Sequence, residues 1–176
     1  MEPRTGVAGD NITHLHQGIA LVERLGKEHL THASDLCPGG TVGAHFRHCL
    51  DFYDSFLEGL GAGRIDYDDR KRDPSSESAS ARAAQRSREV VRALEAIPEQ
   101  DRDRPLSVRG DGSREGDAGW FRSTVGRELQ FLLSHTIHHF ALIGFMLRAE
   151  GLEVDASFGV APSTLRYWAE TSSPAS

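Results

Sequence analysis

An apolar segment from residue 129 to residue 147 constrains the fold of this chain more than any other feature of its sequence. The segment is nearly long enough to cross a bilayer, but three histidines, a serine and a glutamine interrupt it. Such interruptions favour a helix buried in the core of a helical bundle. We therefore expect no membrane partner, and the histidines within a core helix need a chemical explanation.

The length and the charge of the chain limit its organisation and its partners. Its 176 residues suit a single compact domain that spans residues 1–176. The formal net charge of -6 provides no basic field to attract nucleic acid or anionic lipid. Two cysteines are too few for a disulfide framework, and residues 1–10 lack the apolar core of a secretory signal. A cytoplasmic location is therefore expected.

Apolar residues recur at helical spacing in four long segments, so the predicted fold is all-α. The predicted helices cover residues 11–33, 41–57 and 78–97, and a fourth runs from residue 123 or 124 to residue 150. Asp10 or Asn11 is the predicted cap of the first helix. This order predicts an up-and-down four-helix bundle, or a variant with a long crossover connection.

The segments between and after these helices have other patterns. Residues 64–80 combine many charges with a proline and a serine cluster, and they predict a long loop. In residues 105–124, the stretches "PLSVRG" and "GWFRSTV" flank the turn-rich "DGSREGDA", which predicts a small β-hairpin between helices 3 and 4. The tail is expected to pack back on the bundle through Phe158, Leu165 and Trp168.

The fourth predicted helix carries a candidate metal-binding pair. His135 and His139 are four residues apart, so they lie one turn apart on one helical face. That spacing lets two imidazoles reach one metal ion, whereas His138 is turned about 100° away from His139. Glu128 lies two turns before His135. It is a candidate either for supporting a metal ligand or for being a distal ligand itself. The alternative is that these histidines are neutral core residues satisfied by other polar groups.

The second predicted helix offers a third ligand. His45 and His48 lie in "GAHFRHCLDFY", on a helix that must turn an apolar face toward the bundle core. Three imidazoles from two helices would leave coordination positions open, as in catalytic metal sites. The alternative is that His45 or His48 joins a polar network or faces solvent.

Other enzyme signatures are missing from the sequence. The stretch "HTIHH" has no glutamate after its first histidine, so the general base of the HExxH peptidases is absent. No ExxH pair supports a carboxylate-bridged di-iron bundle. The chain also lacks GxSxG, a Walker P-loop and GxGxxG, which argues against a nucleotide-cofactor fold.

Two motifs resemble those of a known family. "VGAHFRHCLDFY" and "RELQFLLSHTIHHFALIGFMLRAEG" are similar to the DinB/YfiT-like superfamily of small metal-binding four-helix proteins, and with the order of elements the resemblance covers most of the chain. It implies a DinB-like bundle in which three histidines, here His48, His135 and His139, hold a divalent metal. Zinc or nickel is the metal that it implies, and iron also suits imidazole ligands. His138 matches an extra histidine that is not normally a ligand, and His45 has no assigned role.

The resemblance also implies partners and an activity. Proteins of this family tend to form homodimers, and some are thiol S-transferases that use mycothiol or bacillithiol, or thiol-dependent isomerases. This chain departs from the family pattern in two places. It has "GGTVG" where a tryptophan often precedes the helix 2 motif, and "HHFAL" where "HHRGQ" is common. These departures weaken the inference that this chain shares a substrate with known family members, because residues that line the pocket differ.

The leading hypothesis is a metal-dependent thiol S-transferase or hydrolase that acts on a small molecule, with a low-molecular-weight thiol as a candidate cosubstrate. Glu128, His45 and His138 are the candidates for orienting ligands or moving protons. Cys49 follows His48 but is interpreted as a small buried hydrophobe. Tyr67, Asp66 and Asp68, in the charged connector, are candidates for reaching the mouth of the site, although a solvated loop is the favoured interpretation. The alternative hypothesis is a non-catalytic metal-binding or ligand-binding bundle.

Overall fold

The computed structural model describes residues 5–110 and 119–172. Its helices and strands are, in chain order, α1 (Gly6–Val22), α2 (Lys27–Thr31), α3 (Val42–Leu60), β1 (Arg64–Asp66), α4 (Ser80–Glu95), β2 (Pro105–Arg109), β3 (Phe121–Thr124), α5 (Val125–Ala149) and α6 (Pro162–Ser172). Short 3-10 helices cover Pro74–Ser76 and Glu99–Asp103. The turn-rich residues 111–118 lie outside the described residues. None of the described helices has the length and apolar character that a bilayer crossing requires.

Four long helices form the bundle, and the all-α class with a small β element is confirmed. Helices α1 and α3 each pack against both α4 and α5, so α1 and α3 lie on a diagonal. Because the first two long helices are therefore not neighbours, the bundle is the crossover variant rather than a simple up-and-down arrangement. The largest fully buried side chains include Phe46, Phe56 and Phe140, which fill the space between the helices.

Three of the four predicted helices are confirmed to within three residues at each end, as α3, α4 and α5. Two of them begin at threonine caps. The hydroxyl of Thr41 accepts a hydrogen bond from the Ala44 N–H, and that of Thr124 accepts one from the Arg127 N–H. These two capped helices, α3 and α5, carry the candidate metal-binding histidines.

The first predicted helix, residues 11–33, is wrong in its bounds. The chain forms α1 and the short α2, with a break before Gly26, where the backbone is extended (φ -75°, ψ 166°). Asn11 is not a helix cap but a buried residue inside α1. Its Nδ2 donates to the backbone carbonyl of Leu129 at 2.9 Å. Asp10 also lies inside the helix, and the amide of Asn11 bonds to the neighbouring helix α5 instead of capping α1.

The connector at residues 64–80 is irregular over most of its length, as its charge predicts, but it begins with a strand that the prediction missed. Strand β1 pairs in parallel with β2, and the N–H of Tyr67 extends the ladder by donating to the carbonyl of Arg109 at 2.8 Å. Ile65 and Tyr67 are both buried because alternate residues of an extended segment face the same side. The predicted hairpin is confirmed, since β2 and β3 pair in antiparallel fashion and the sheet order is β1-β2-β3.

A buried hydrogen-bond network joins three helices. The Tyr53 hydroxyl on α3 donates to Oδ1 of Asn11 on α1 at 2.6 Å. It lies 3.0 Å from Oγ1 of Thr136 on α5, and Thr136 must be the donor because the single hydroxyl proton of Tyr53 is already used. The network satisfies buried polar groups and fixes how α1, α3 and α5 are rotated about their axes.

The tail packs on the bundle through one of its three predicted residues. Phe158 is buried, and its ring stacks on Phe140 with centroids 4.8 Å apart. Leu165 is half-buried. The prediction for Trp168 is wrong, because its side chain is 45% exposed on the outer helix α6.

Close packing at Gly43 yields a stability prediction. A Cβ at this position of α3 would overlap the backbone carbonyl of Glu77, which no side-chain rotation can relieve. Gly43→Ala should therefore lower the free energy of unfolding by about 1–3 kcal/mol, measured by urea denaturation.

Gly61 provides the matched control at the other end of the same helix. Its backbone is helical (φ -62°, ψ -39°), and a Cβ there meets no described atom within 4 Å. Gly61→Ala should leave stability unchanged or raise it by about 0.4–1 kcal/mol. Equal denaturation midpoints for the two variants would contradict the packing at Gly43.

Candidate metal centre

Helices α3 and α5 bring three imidazoles to one point. The Nε2 atom of His135 lies 3.2 Å from Nε2 of His48 and 3.2 Å from Nε2 of His139. In the part of the chain that the structure describes, these three residues form the group whose ligand atoms all lie within 4.8 Å of one another. The i, i+4 pair on α5 and one histidine of α3 thus converge as the spacing and the resemblance together predicted.

The distances between the nitrogens fit a metal ion. Zinc binds imidazole at about 2.0–2.1 Å, so two ligands of a tetrahedral site have nitrogens about 3.3 Å apart. The two 3.2 Å separations match that value closely. Three imidazoles and no carboxylate form a donor set that suits zinc, nickel or iron.

Burial keeps these imidazoles in the neutral form that ligates metals. Burial first, and then the neighbouring His48, lowers the pKa of His135 to about 4. Burial, followed by His135 and His48, lowers the pKa of His139 to about 2. The pKa of His48 is also lowered, by burial and then by the charge of Arg70. Neutral imidazoles have the lone pair that a metal requires.

His45 lies behind the cluster and touches one of its members. Its Nδ1 is 2.8 Å from Nδ1 of His139, and its Nε2 is 3.5 Å from Sγ of Cys37. If Nε2 of His139 faces a metal, its Nδ1 bears the proton and donates it to His45. His45 then has its own proton on Nε2, directed at the Cys37 sulfur. His45 is thereby placed to orient the ring of His139.

The other two candidate residues lie away from the point of convergence. His138 is exposed, and its ring meets that of His139 edge-on at 5.0 Å. Glu128 is buried and accepts hydrogen bonds from the Tyr67 hydroxyl at 3.0 Å and from the Ser123 hydroxyl. Neither residue belongs to the group of converging ligand atoms. Cys49 directly follows His48 in the chain. Burial raises the pKa of its thiol, which fits a core residue rather than a nucleophile.

An aromatic wall beside the cluster escaped the sequence reasoning. The ring of Phe52 packs on His135 at 4.2 Å and meets His48 edge-on at 5.0 Å. Tyr67 is buried and stacks on Phe52 at 5.2 Å, so it is not in a solvated loop. The alternation of Ile65 and Tyr67 in "RIDYDD" was the available signal for a strand here, and the surrounding charges masked it.

A cavity of about 320 Å³ opens beyond this wall. None of the three converging histidines lines it, but Phe52 lies between the cavity and His135. Its lining residues come from the bundle, the connector and the sheet, and they are Phe52, Tyr67, Arg70, Val108, Gly110, Phe121, Arg127, Glu128 and Phe131. The sheet therefore helps to form a concave space next to the histidine cluster.

Comparison with known proteins identifies the family. The sequence profile of the DinB superfamily matches residues 14–143, which include all three converging histidines. The chain belongs to the DinB superfamily. Among solved structures, the DinB-like protein YjoA of Bacillus subtilis has a TM-score of 0.59, covering 84% of this chain and 92% of that one. Its sequence is 18% identical, so this likeness shows the shared fold alone.

A curated relative of this DinB-superfamily protein comes from a fungus. FK506-binding protein 5 of Rhizopus delemar is 34% identical over 105 residues, which is 58% of the present chain. The present chain spans 27% of the length of that protein. The resemblance predicted from the two histidine motifs is confirmed by the match to the family.

The lowered pKa values predict how the stability of the metal-free protein depends on pH. Unfolded His135 has the ordinary pKa of 6.5, while the folded residue has a pKa of about 4, so only the unfolded state takes up a proton between these values. Stability should therefore be greatest above pH 6.5 and decline as the pH falls toward 4. Urea denaturation of chelator-treated protein at several pH values measures this decline.

The double variant His135→Gln/His139→Gln is the control for this experiment. It lacks two groups that take up protons on unfolding, so its stability should fall less steeply below pH 6.5. Parallel curves for the two proteins would show that these imidazoles are not held neutral by the fold.

Proposed function

We propose that this protein is a metal-dependent enzyme, a thiol S-transferase or a hydrolase, with a divalent metal on His48, His135 and His139. Zinc or nickel is the proposed metal, and iron is a further candidate. The single observation that supports this most strongly is the convergence of three Nε2 atoms, with separations of 3.2 Å about His135. Without a shared cation, the lone pairs of these imidazole nitrogens would face one another with too few protons to form hydrogen bonds between them.

The surroundings of the cluster suit catalysis. Three protein ligands leave coordination positions open, and a metal lowers the pKa of a bound water or thiol to produce a nucleophile at neutral pH. His45 orients the ring of His139 through the contact between their Nδ1 atoms. Phe52 shields the ring of His135 from water. These residues hold the ligands in place while the adjacent cavity admits a small molecule.

The proposed partners follow from the shape and charge of the molecule. The cavity of about 320 Å³ suits a small-molecule substrate, with a low-molecular-weight thiol as cosubstrate. A net charge of -6 disfavours nucleic acid and anionic membrane surfaces as partners. A cytoplasmic location is part of this proposal.

A second candidate function is a metal-binding or ligand-binding bundle without turnover. The position of Glu128 favours it, because this candidate proton carrier is buried and already accepts two hydrogen bonds outside the histidine cluster. Exchangeable water at the metal, detected by water-proton relaxation of cobalt-loaded protein, would favour the enzyme. A filled coordination sphere would favour the binding protein.

Elemental analysis of untagged protein, purified without chelator, tests the metal site. We expect about one metal ion per chain in the native protein and none in the variant His48→Ala/His135→Ala/His139→Ala. His138→Ala is the matched control, because this exposed neighbour should leave the metal content unchanged. Full metal content in the triple variant, or complete loss in His138→Ala, would overturn the ligand assignment.

The proposed homodimer has a candidate surface. Leu36 and Phe145 are 64% and 62% exposed and line an apolar groove together with Leu142 and Met146. Sedimentation should give about twice the mass of one chain, and Phe145→Asp should shift the protein toward the monomer. Tyr167→Asp, at an equally exposed aromatic residue on α6, should not. A monomeric native protein would contradict the proposal.

A further inference from the structure

The walls of the cavity beside the histidine cluster are largely aromatic. The rings of Phe52, Tyr67 and Phe131 contact one another with centroids 5.2–5.8 Å apart and form one aromatic wall, and Phe121 is 61% exposed in the lining. A volume of about 320 Å³ is at the small end of ligand pockets. Aromatic faces of this kind hold flat apolar groups by stacking. The cavity therefore suits a ligand with a single ring or a short apolar body.

The charged groups in the lining carry a net positive charge, whereas the chain as a whole is negative. Among the described residues that line the cavity, the charged side chains are Arg70, Arg127 and Glu128. The two guanidinium groups outnumber the one carboxylate, whose oxygens accept hydrogen bonds from the hydroxyls of Tyr67 and Ser123. A chain with a net charge of -6 thus places a positive pair of side chains in this cavity.

Arg70 lines the cavity and contacts Phe52, the lining residue that packs on His135. Its guanidinium stands over the ring of Phe52, 4.0 Å from the centroid, and donates to the backbone carbonyl of Tyr67. Phe52 also packs on His135, with ring centroids 4.2 Å apart. The guanidinium therefore adjoins both the cavity lining and the ring that packs on the histidine cluster, where its charge would attract an anion.

The ligand set of the metal adds to this preference. Three neutral imidazoles cancel none of the charge of a divalent cation, and no carboxylate belongs to the converging group. A guanidinium has five N–H donors in a planar fork that matches a carboxylate. An anionic group placed near Arg70 would therefore be attracted by the guanidinium and by a metal on the histidines.

We propose that this cavity binds an organic carboxylate whose ring or flat apolar body stacks on the wall formed by Phe52, Tyr67 and Phe131. Arg70 holds the carboxylate on the side facing the histidines, and Arg127 contributes at the exposed edge of the cavity. The inference deepens the proposed function by naming the substrate class, and it rests on that function only for the contribution of the metal. The arginines and the aromatic walls are present in the chain with or without a metal.

Isothermal titration calorimetry with two isosteric probes tests this proposal. Phenylacetate has a ring and a carboxylate, and phenylacetamide has the same shape without the charge. Zinc-loaded protein should bind phenylacetate more tightly than phenylacetamide by at least about tenfold, which corresponds to one charge-assisted hydrogen-bonded pair. Chelator-treated protein should retain a smaller preference, because the arginines remain.

Variants identify the residues that produce the preference. Arg70→Gln should weaken phenylacetate binding by about tenfold and leave phenylacetamide binding unchanged. Arg127→Gln changes an exposed side chain, keeps the fold intact, and should weaken phenylacetate binding by a smaller factor. Arg122→Gln is the control, since this exposed arginine follows Phe121 on β3 but does not line the cavity.

The outcomes separate this inference from the proposed function. Equal affinity for the two probes, no detectable binding of phenylacetate, or wild-type affinity in both Arg70→Gln and Arg127→Gln would overturn the carboxylate site. A protein that takes up no zinc, yet binds phenylacetate in an Arg70-dependent manner, would support the carboxylate site and reject the metal-dependent enzyme.

Discussion

The buried hydrogen bonds among Asn11, Tyr53 and Thr136 set the rotation of three helices, and the candidate metal centre depends on that rotation. Apolar contacts alone tolerate small rotations and shifts, whereas a buried hydroxyl or amide that loses its partner costs about 1–3 kcal/mol. Thr136 directly follows His135, and Tyr53 lies five residues after His48. The same contact that satisfies these polar groups therefore brings the imidazoles of α3 and α5 to within 3.2 Å.

The opposite side of α3 is fixed by charge. Asp51 is 1% exposed and accepts hydrogen bonds from Arg86 on α4 at 3.0 Å and from Arg47 at 2.6 Å. Buried ion pairs contribute little net stability, but they penalise any packing in which one charge lacks its partner. Helix α3 is thus held between an ionic contact to α4 and a polar network to α1 and α5. His48 projects from a helix that has little freedom to turn.

The small sheet builds the cavity that adjoins the cluster. Strand β1 carries the chain past α3, so that Tyr67 stacks on Phe52 and donates to Glu128 of α5. The Tyr67 hydroxyl thereby links the sheet to α5, the helix that bears His135 and His139. An aromatic wall and two arginines therefore line a cavity beside the histidine cluster, although they come from the connector, the sheet and both helices. In the proposed function, the three histidines hold the metal and the cavity selects the substrate.

The sequence by itself determined the features that arise within one helix or one hairpin. Apolar periodicity located α3, α4 and α5, and the i, i+4 spacing placed His135 and His139 on one face, because both follow from the pitch of a helix. Tertiary structure alone decided the diagonal position of α1 and α3, the strand hidden in the charged connector, and the place of Arg70 beside Phe52. It also brought His48, rather than His45, to the point of convergence, as the family resemblance implied. Such contacts join residues far apart in the chain, and local spacing cannot specify how separate helices and strands are rotated against one another.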